Sequence, residues 1–447
     1  MSLLPLVSHV SPDSIIAWRA DGAVTLRQFL AEVRQLVALL PGESHLLNMC
    51  SDRYRFSVGL AAAIVANKVS LLPSTHTPEM VRQIKAFAPS VFCLTDSKRC
   101  TVDMPQLQYP TMSVIQQDAF AIPQIDSKQR IAIVFTSGST GTPQPHPKTW
   151  GALTSSVQAE ALRLGLLNTT PCTLIATVPP QHMYGFETTV LMAWLSGNAL
   201  SHAQPFFPAD ICQVLAAIPT PRVLVSSPVH LRALLDAGLV LPEITQVVSA
   251  TAPLSVQLAQ DIESHCNAPL MEIYGSTETG QIATRRPTQT AEWQLFPGIK
   301  LIVEGDSVRA SGGHIETLTA MSDVIEPITD EYFLLHGRIA DLVNIAGKRH
   351  SLASLCHLLN TIPGVIDGAF YMPEETDHDH TTRLAACVVA PGMDAPQILA
   401  ALREHIDPVF LPRPLLFVDE LPRNCTGKLP RAALQALLQT HRTQKSA

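Results

Sequence analysis

An apolar run from Ile131 to Phe135 passes directly into Thr136-Ser137-Gly138-Ser139-Thr140-Gly141-Thr142, and this junction restricts the fold more than any other stretch. Glycines at 138 and 141 let backbone N–H groups come close to an anion, and the hydroxyls around them add donors without fixed charge. A strand that opens into such a loop is suited to wrapping phosphates at the edge of an α/β layer. The nucleotide loop GxxxxGK[ST] is absent, so the phosphate chemistry is of another kind. Taken alone, the segment has a flexible Ser/Gly turn as its lesser alternative.

The surroundings support an α/β layer. From Thr25, the residues Leu26, Phe29, Leu30, Val33, Val37 and Leu40 recur at helical spacing, with Thr25 and Gln28 set for a capping box and Pro41-Gly42 as the stop. A second helix is expected around Val58 to Asn67, leading into the apolar segment Val69 to Leu72. A third opens on Thr77-Pro78, and Val91 to Thr95 reads as a strand. The alternation recurs with strands at Arg222 to Ser226 and Ile244 to Ser249, and helices at Pro228 to Ala237 and Ser255 to His265. Between Trp293 and Leu335 the texture turns to β segments, with Gly305-Asp306 as a hairpin turn. After Gly337 the pattern restarts, with strands at Leu342 to Ile345 and Leu384 to Val389 and helices at Leu352 to Asn360 and Ala395 to His405. The expected organisation is a large N-terminal domain over residues 1–337, a hinge at 338–341 and a small mobile α+β domain over 342–447. A chain of 447 residues exceeds one compact core, and 46% apolar residues supply material for two.

Charge and cysteine usage narrow the class. A net charge of -7 without basic clusters argues against a nucleic-acid partner and against an anionic membrane surface. Nine scattered cysteines without a CxxC pair fit reduced thiols in a cytosolic protein. The N-terminal MSLLPLVSHVSP lacks a basic region and a long apolar core, and no stretch approaches a membrane span, so neither export nor insertion is expected and the location is read as cytoplasmic. The string Asp377-His378-Asp379-His380 reads as a solvated loop rather than a metal site, because no ligands of matching spacing accompany it.

A second segment, YGSTETG at Tyr274 to Gly280, again follows an apolar run. It sets an aromatic ring, the Thr277 hydroxyl and the Glu278 carboxylate on one short loop. An aromatic face can cover adenine, a hydroxyl can bind an α-phosphate and a carboxylate can hold magnesium. Glu278 as a merely solvated loop acid remains the simpler alternative.

With TSGSTGT and YGSTETG stand PPQHMYG at Pro179 to Gly185, SATAPLS at Ser249 to Ser255, Ser322-Asp323, GRIAD at Gly337 to Asp341, and PRNCTGKLPR at Pro422 to Arg431. In this order the chain resembles the adenylate-forming superfamily of acyl- and aryl-CoA synthetases, luciferases and peptide-synthetase adenylation domains. The resemblance implies ATP- and Mg2+-dependent activation of a small carboxylic acid to an acyl-AMP, followed by transfer to a phosphopantetheine thiol. It further implies that Lys428 is the catalytic lysine bridging the acid and the α-phosphate, that Thr277 and Glu278 are catalytic with Glu278 the metal ligand, and that His182 gates the acid pocket from the thiol tunnel. By the same resemblance ATP is held by Thr136, Ser137, Gly138, Ser139, Thr140, Gly141, Thr251, Ala252, Tyr274, Gly275 and Ser276. Asp323 would accept the ribose hydroxyls, and Arg338 would reach ribose and phosphate. Tyr184, Gly185, Phe186 and Ala250 are implied as acid-binding, with Glu187 and Thr251 at the same pocket. Tyr184 and Phe186 are equally plausible as core residues.

Three departures qualify the likeness. Gln144 stands where the loop usually carries a lysine, with Lys148 four residues on as a possible substitute. The hinge has Ala340 beside Asp341, and the large domain reads as short. The small domain would alternate between presenting Lys428 and presenting the face around Ile345-Ala346-Gly347-Lys348. Compactness and the QPHPKTW segment resemble acyl- or aryl-acid ligases of fatty-acid-like or aryl-polyene pathways, which makes an acyl carrier protein the expected thiol partner. Free coenzyme A is the alternative acceptor, and a non-catalytic nucleotide-binding relative is the alternative class.

Overall fold

The computed structural model describes residues 2–437 apart from 74, 113–119, 137–142, 306, 339–341, 346–347, 373–383, 424–428, 431–432 and 435. It divides into two compact units, one of residues 1–300 with 310–319, the other of 301–309 with 320–447. Residues 339–341 of the expected hinge, the Asp377 to His380 string and the tip of the Gly305-Asp306 turn at 306 lie outside the described residues.

The first unit is built on two sheets. One runs in the order Gln144–Thr149, Arg130–Thr136, Val69–Leu72, His45–Asn48, Val91–Thr95, Gln106–Gln108. All its neighbours are parallel except the first pair. The other runs Trp293–Leu295, Gly280–Arg285, Leu270–Ser276, Gln246–Ser249, Arg222–Ser226, Thr173–Ala176, Ala199–Ser201, Ile15–Arg19, Gly22–Thr25. Its interior is parallel and its two ends antiparallel. Interior strands such as Thr173–Ala176 and Arg222–Ser226 are buried almost throughout, as in a parallel sheet covered on both faces. This is the mixed α/β architecture that the alternation predicts.

Local sequence explains most element ends. Helix Leu26–Leu39 starts on the expected box, Thr25 Oγ1 accepting from Gln28 N and Gln28 Oε1 from Thr25 N at 3.3 and 2.8 Å. Helices Pro78–Phe87 and Val256–Cys266 start on Thr77 and Ser255. The second helix begins earlier than its apolar pattern suggests, at Arg53, because Asp52 caps it by accepting from Arg55 N. Arg53 itself is fully buried, which a periodicity argument does not anticipate.

Arg53 has a positional task. Its guanidinium donates to the carbonyls of Ala176 at 2.9 Å, Val178 at 2.8 Å and Ala203 at 2.7 Å, joining the outgoing ends of strands Thr173–Ala176 and Ala199–Ser201. Burial lowers its pKa to about 9, still above neutrality, so the charge-assisted bonds persist. Arg53→Met leaves these buried carbonyls without donors and is expected to cost about 3 kcal/mol of stability. Urea denaturation reads this as a lowered midpoint with an unchanged slope, and an unshifted midpoint contradicts the assignment.

The second unit contains the hairpin Asp323–Pro327 with Tyr332–Arg338. It also contains the antiparallel pair Leu342–Ile345 with Lys348–Ser351, and a sheet ordered Asp367–Tyr371, Ala385–Val389, Leu415–Phe417. Helices Leu352–Asn360 and Ala395–Arg403 pack with this sheet around Leu355, Leu359, Val388 and Ile398, the α+β texture read from the sequence.

Candidate active site

Each candidate segment of the first unit leaves the carboxyl end of a strand, where open α/β sheets place their ligands. Strand Arg130–Thr136 runs toward the hydroxyl-rich loop, Gln246–Ser249 into Ala250 and Thr251, and Leu270–Ser276 into the YGSTETG turn. Ser137, Gly138, Ser139, Thr140 and Gly141 lie outside the described residues, as does Lys428.

The turn is held from within. Ser276 N donates to Thr279 Oγ1 at 3.2 Å and Thr279 N to Ser276 Oγ at 3.1 Å. That reciprocal pair leaves Thr277 half-buried and Glu278 exposed at the tip. Gly275 is required for the tight pairing below it, since a Cβ there would lie 2.3 Å from Gly280 O. Tyr274 stands against Trp293 with ring centroids 5.5 Å apart, and Arg285 stacks on the other ring at 4.5 Å.

Two side chains on strand Gln144–Thr149 connect the turn to the first loop. His146 Nε2 lies 3.0 Å from Thr136 Oγ1 and 3.6 Å from Glu278 Oε1. Burial lowers its pKa, the Lys148 charge adds to that, and the Glu278 carboxylate opposes it. Two residues on, and so on the same face of the strand, Lys148 donates through Nζ to Thr277 O at 2.6 Å and reaches Glu278 O at 3.5 Å. The residue is buried, and its pKa is lowered by desolvation while Glu187, Glu278 and Glu316 pull it back up. Lys148 is therefore engaged with the carbonyl side of the YGSTETG turn.

The PPQHMYG segment takes a form its sequence did not disclose. His182 heads the short helix Met183–Gly185, which continues into a π-helical stretch, Phe186–Leu191, a distortion that recurs at functional sites. Gly185 is sterically obligatory, because a Cβ would meet Pro179 O at 2.0 Å. Phe186 is fully buried in the core, and Tyr184 donates to Val248 O at 3.1 Å. Met183 and Glu187 are the side chains of this stretch that face a pocket of about 90 Å³, together with Lys148, Ser156, Glu278 and His314. Pro147, Ala152, Leu153 and Ile315 complete the apolar part of its wall. Ala250 is buried and Ala252 half-buried, while Thr251 adopts φ +83, a left-handed conformation that costs a β-branched residue energy.

Glu187 and His314 are both strongly perturbed groups of the pocket wall. Burial pushes the Glu187 pKa up to about 7, against the lowering pull of Lys148, Ser156 and Gln281. Behind it Glu160 is raised further by burial and by Glu187, and it accepts from Thr188 Oγ1 at 2.6 Å. His314 donates from Nε2 to Thr279 O at 3.0 Å, and burial holds it near 4, neutral at physiological pH. In the unfolded chain Glu187 titrates near 4.5, so between that value and 7 the folded state binds the extra proton. Its contribution is therefore full below 4.5 and is lost as pH rises to 7. The stability of Glu187→Gln relative to the native chain should rise by about 3 kcal/mol between pH 4 and pH 8. Denaturant titrations at both pH values check this, and a pH-independent difference contradicts it.

In the second unit, Asp323 and Arg338 are directly paired across the hairpin. Two consecutive motifs are thereby brought side by side, at the end of the hairpin that leads into 339–341. Arg423, which the motif reading did not single out, donates to both carboxylate oxygens of Asp367 at 2.7 Å. It fixes the chain just ahead of the segment that carries Lys428.

Comparison with known proteins is consistent across sequence and fold. Residues 46–309 match the family model described as AMP-binding enzyme. A 4-coumarate–CoA ligase from Halorhodospira halophila is 31% identical over 304 residues, covering 66% of this chain and 73% of that protein. One from Cereibacter sphaeroides is 27% identical over 298 residues, covering 66% and 69%. The structure of O-succinylbenzoate coenzyme A synthetase from Bacillus subtilis in complex with ATP and magnesium ion superposes with a TM-score of 0.80. It covers 95% of this chain and 97% of that one at 18% identity, a likeness of fold.

Proposed function

Because the chain belongs to the AMP-binding enzyme family and is an AMP-forming acid–thiol ligase, we propose that it activates a small carboxylic acid with ATP and Mg2+ and passes the acyl group to a phosphopantetheine thiol. The observation that carries this reading is the turn Ser276 to Thr279, which presents Thr277 and Glu278 while His146 links Glu278 to Thr136. In the first step a carboxylate oxygen attacks the α-phosphorus, the bond to the β-phosphate bridging oxygen breaks, and pyrophosphate leaves with the electron pair. Two anions meet in that step, so oriented donors and positive charge lower its barrier. Thr277 donates to the α-phosphate, and Lys428 bridges it to the incoming acid. In the second step the thiol sulfur attacks the acyl carbon, its proton is lost and AMP departs.

The site suits the metal. Glu278 is an exposed carboxylate at a turn tip with its backbone fixed by Lys148. Magnesium characteristically takes one or two protein carboxylates and completes its shell with phosphate oxygens and water. When bound it neutralises the pyrophosphate leaving group. Tyr274 covers adenine, Asp323 and Arg338 hold the ribose side, and His182 separates the acid from the thiol. The hinge at 338–341 and the small domain over 342–447 carry the exchange between the two half-reactions.

Two acceptors have support. The relatives carrying 4-coumarate–CoA ligase names favour free coenzyme A, and the QPHPKTW segment favours a carrier protein. Thioester formation measured with coenzyme A and with a holo acyl carrier protein decides between them. Saturation by coenzyme A at micromolar to millimolar levels establishes the first, and thioester formed only on the holo protein establishes the second.

A further inference from the structure

We propose that Lys148 is a positioning residue for the adenylation step: its buried ammonium holds the backbone carbonyls of the YGSTETG turn inward, so that Thr277 and Glu278 present their side chains to the phosphates of ATP. The inference rests on the adenylation reading above and deepens it.

The turn has two sides, held by different means. Its N–H side closes on itself through the Ser276–Thr279 bonds. On the other side, three successive carbonyls each meet a donor from a buried side chain. Lys148 Nζ stands 2.6 Å from Thr277 O and 3.5 Å from Glu278 O, and His314 Nε2 stands 3.0 Å from Thr279 O. His314 thus serves the residue that leads into strand Gly280–Arg285, whereas Lys148 serves the two residues assigned to phosphate and metal. Removing a buried donor leaves its carbonyl desolvated without compensation, so the turn is expected to rotate or shift to recover a partner.

The chain around Lys148 is organised to keep a charge there. Burial works against the ammonium, and Glu187, Glu278 and Glu316 work for it. Two of these acids are tied to the segment that follows the lysine. Thr149 donates to Glu316 Oε1 at 2.9 Å, and Ser156 donates to Glu187 Oε1 at 3.0 Å. Thr149 caps helix Trp150–Arg163 and Ser156 lies within it, so the counter-charges are fixed to the same piece of chain as the group they face. A hydrogen bond from an ammonium is roughly twice as strong as one between neutral groups, which suits it to holding a strained turn.

Strand Gln144–Thr149 supplies the frame of reference. It pairs with Arg130–Thr136 from Gln144 opposite Thr136 to Lys148 opposite Ala132, and the register then slips, Thr149 standing opposite Arg130. Such irregularities re-aim side chains beside functional sites. Through His146 this strand meets the Glu278 side chain, and through Lys148 it meets the backbone of Thr277 and Glu278. The turn is thereby referred to Thr136, where the hydroxyl-rich loop begins. A misplacement of about 1 Å in such a frame costs about 100-fold in rate.

Two substitutions in the full-length protein test the assignment. Lys148→Met keeps the reach of the side chain and removes its donors, whereas Lys148→Ala opens space beside the pocket of about 90 Å³. Both are expected to lower kcat for acid-dependent pyrophosphate release by about 100-fold with the KM for ATP within about threefold of native, because the lost alignment is felt in the transition state. Ethylammonium chloride should restore Lys148→Ala saturably by about tenfold or more, its cation standing in for the missing ammonium. Ethanol and sodium chloride at the same concentrations should not, and Lys148→Met, whose side chain fills the space, should gain nothing from the amine. A structural role alone would give no saturable response to ethylammonium. If Lys148→Ala does not fold, Lys148→Met decides: a fall in kcat at native KM for ATP supports the assignment, and a loss carried by KM overturns it. Native kcat in either variant, or a loss in folded Lys148→Ala that ethylammonium does not relieve, overturns the role of Lys148 and leaves adenylation intact. Absence of pyrophosphate release by the native chain with every acid overturns the adenylation reading itself, and the inference with it.

Discussion

Lys428→Ala is expected to lower acid-dependent pyrophosphate release by about 10³-fold, the loss typical of one oriented cationic donor removed from a developing negative charge. The attacking carboxylate and the α-phosphate repel each other until a positive charge stands between them. An ammonium is a compact point charge suited to that place. The second half-reaction has a different requirement, since an acyl-AMP already formed reacts with a neutral or thiolate sulfur and no longer brings two anions together. The variant supplied with preformed acyl-AMP should therefore make thioester at close to the native rate. Arg423 bears on the same prediction. Its paired bonds to Asp367 fix the chain ahead of Lys428 to the sheet of the second unit, so Arg423→Ala should slow adenylation through a less well-placed lysine and also spare thioester formation. Equal loss in both half-reactions for Lys428→Ala would contradict the separation of the two steps.

Glu278→Gln is the second large effect, an expected loss of about 100-fold in kcat/KM for ATP. The side chain is exposed and approaches His146 at 3.6 Å, so folding stability should change little. The backbone of the turn is secured independently by the Ser276–Thr279 bonds and by Lys148. A loss confined to metal binding should be relieved in part by raised Mg2+. Titration of activity against Mg2+ reads this as a shift to higher concentration in the variant. A loss of the same size at every Mg2+ concentration would instead place Glu278 outside the metal site.

The sequence made the scaffold readable because its local signals agree with its tertiary ones. Thr25, Thr77 and Ser255 cap the helices that their spacing predicts, and the apolar runs at Val69, Val91 and Arg222 become strands whose faces are both covered. What it concealed was the direction of side chains within a readable element. Tyr184 and Phe186 look like pocket aromatics, yet one is tied to Val248 O and the other lies in the core, while Glu187 faces the pocket. The resemblance had set Glu187 at the pocket beside the two aromatics, and nothing local in Phe186 to Leu195 told these side chains apart. Arg53 was hidden for a related reason: a charged residue at a helix start reads as solvent-facing until its carbonyl partners, more than a hundred residues away, are known. Lys148 offered a clearer signal. Its alternation with His146 on one strand face points both at the same neighbour, but identifying that neighbour as the YGSTETG turn required the fold.

The measurement that bears most directly on the central claim is pyrophosphate release from ATP and Mg2+ across aryl, unsaturated and straight-chain acids, with hydroxylamine present to trap activated acyl groups. The predicted result is release that depends on one class of acid, with AMP and the matching hydroxamate formed in equal amounts. ATP binding without pyrophosphate or hydroxamate from any acid would contradict it and indicate a nucleotide-binding protein that performs no adenylation.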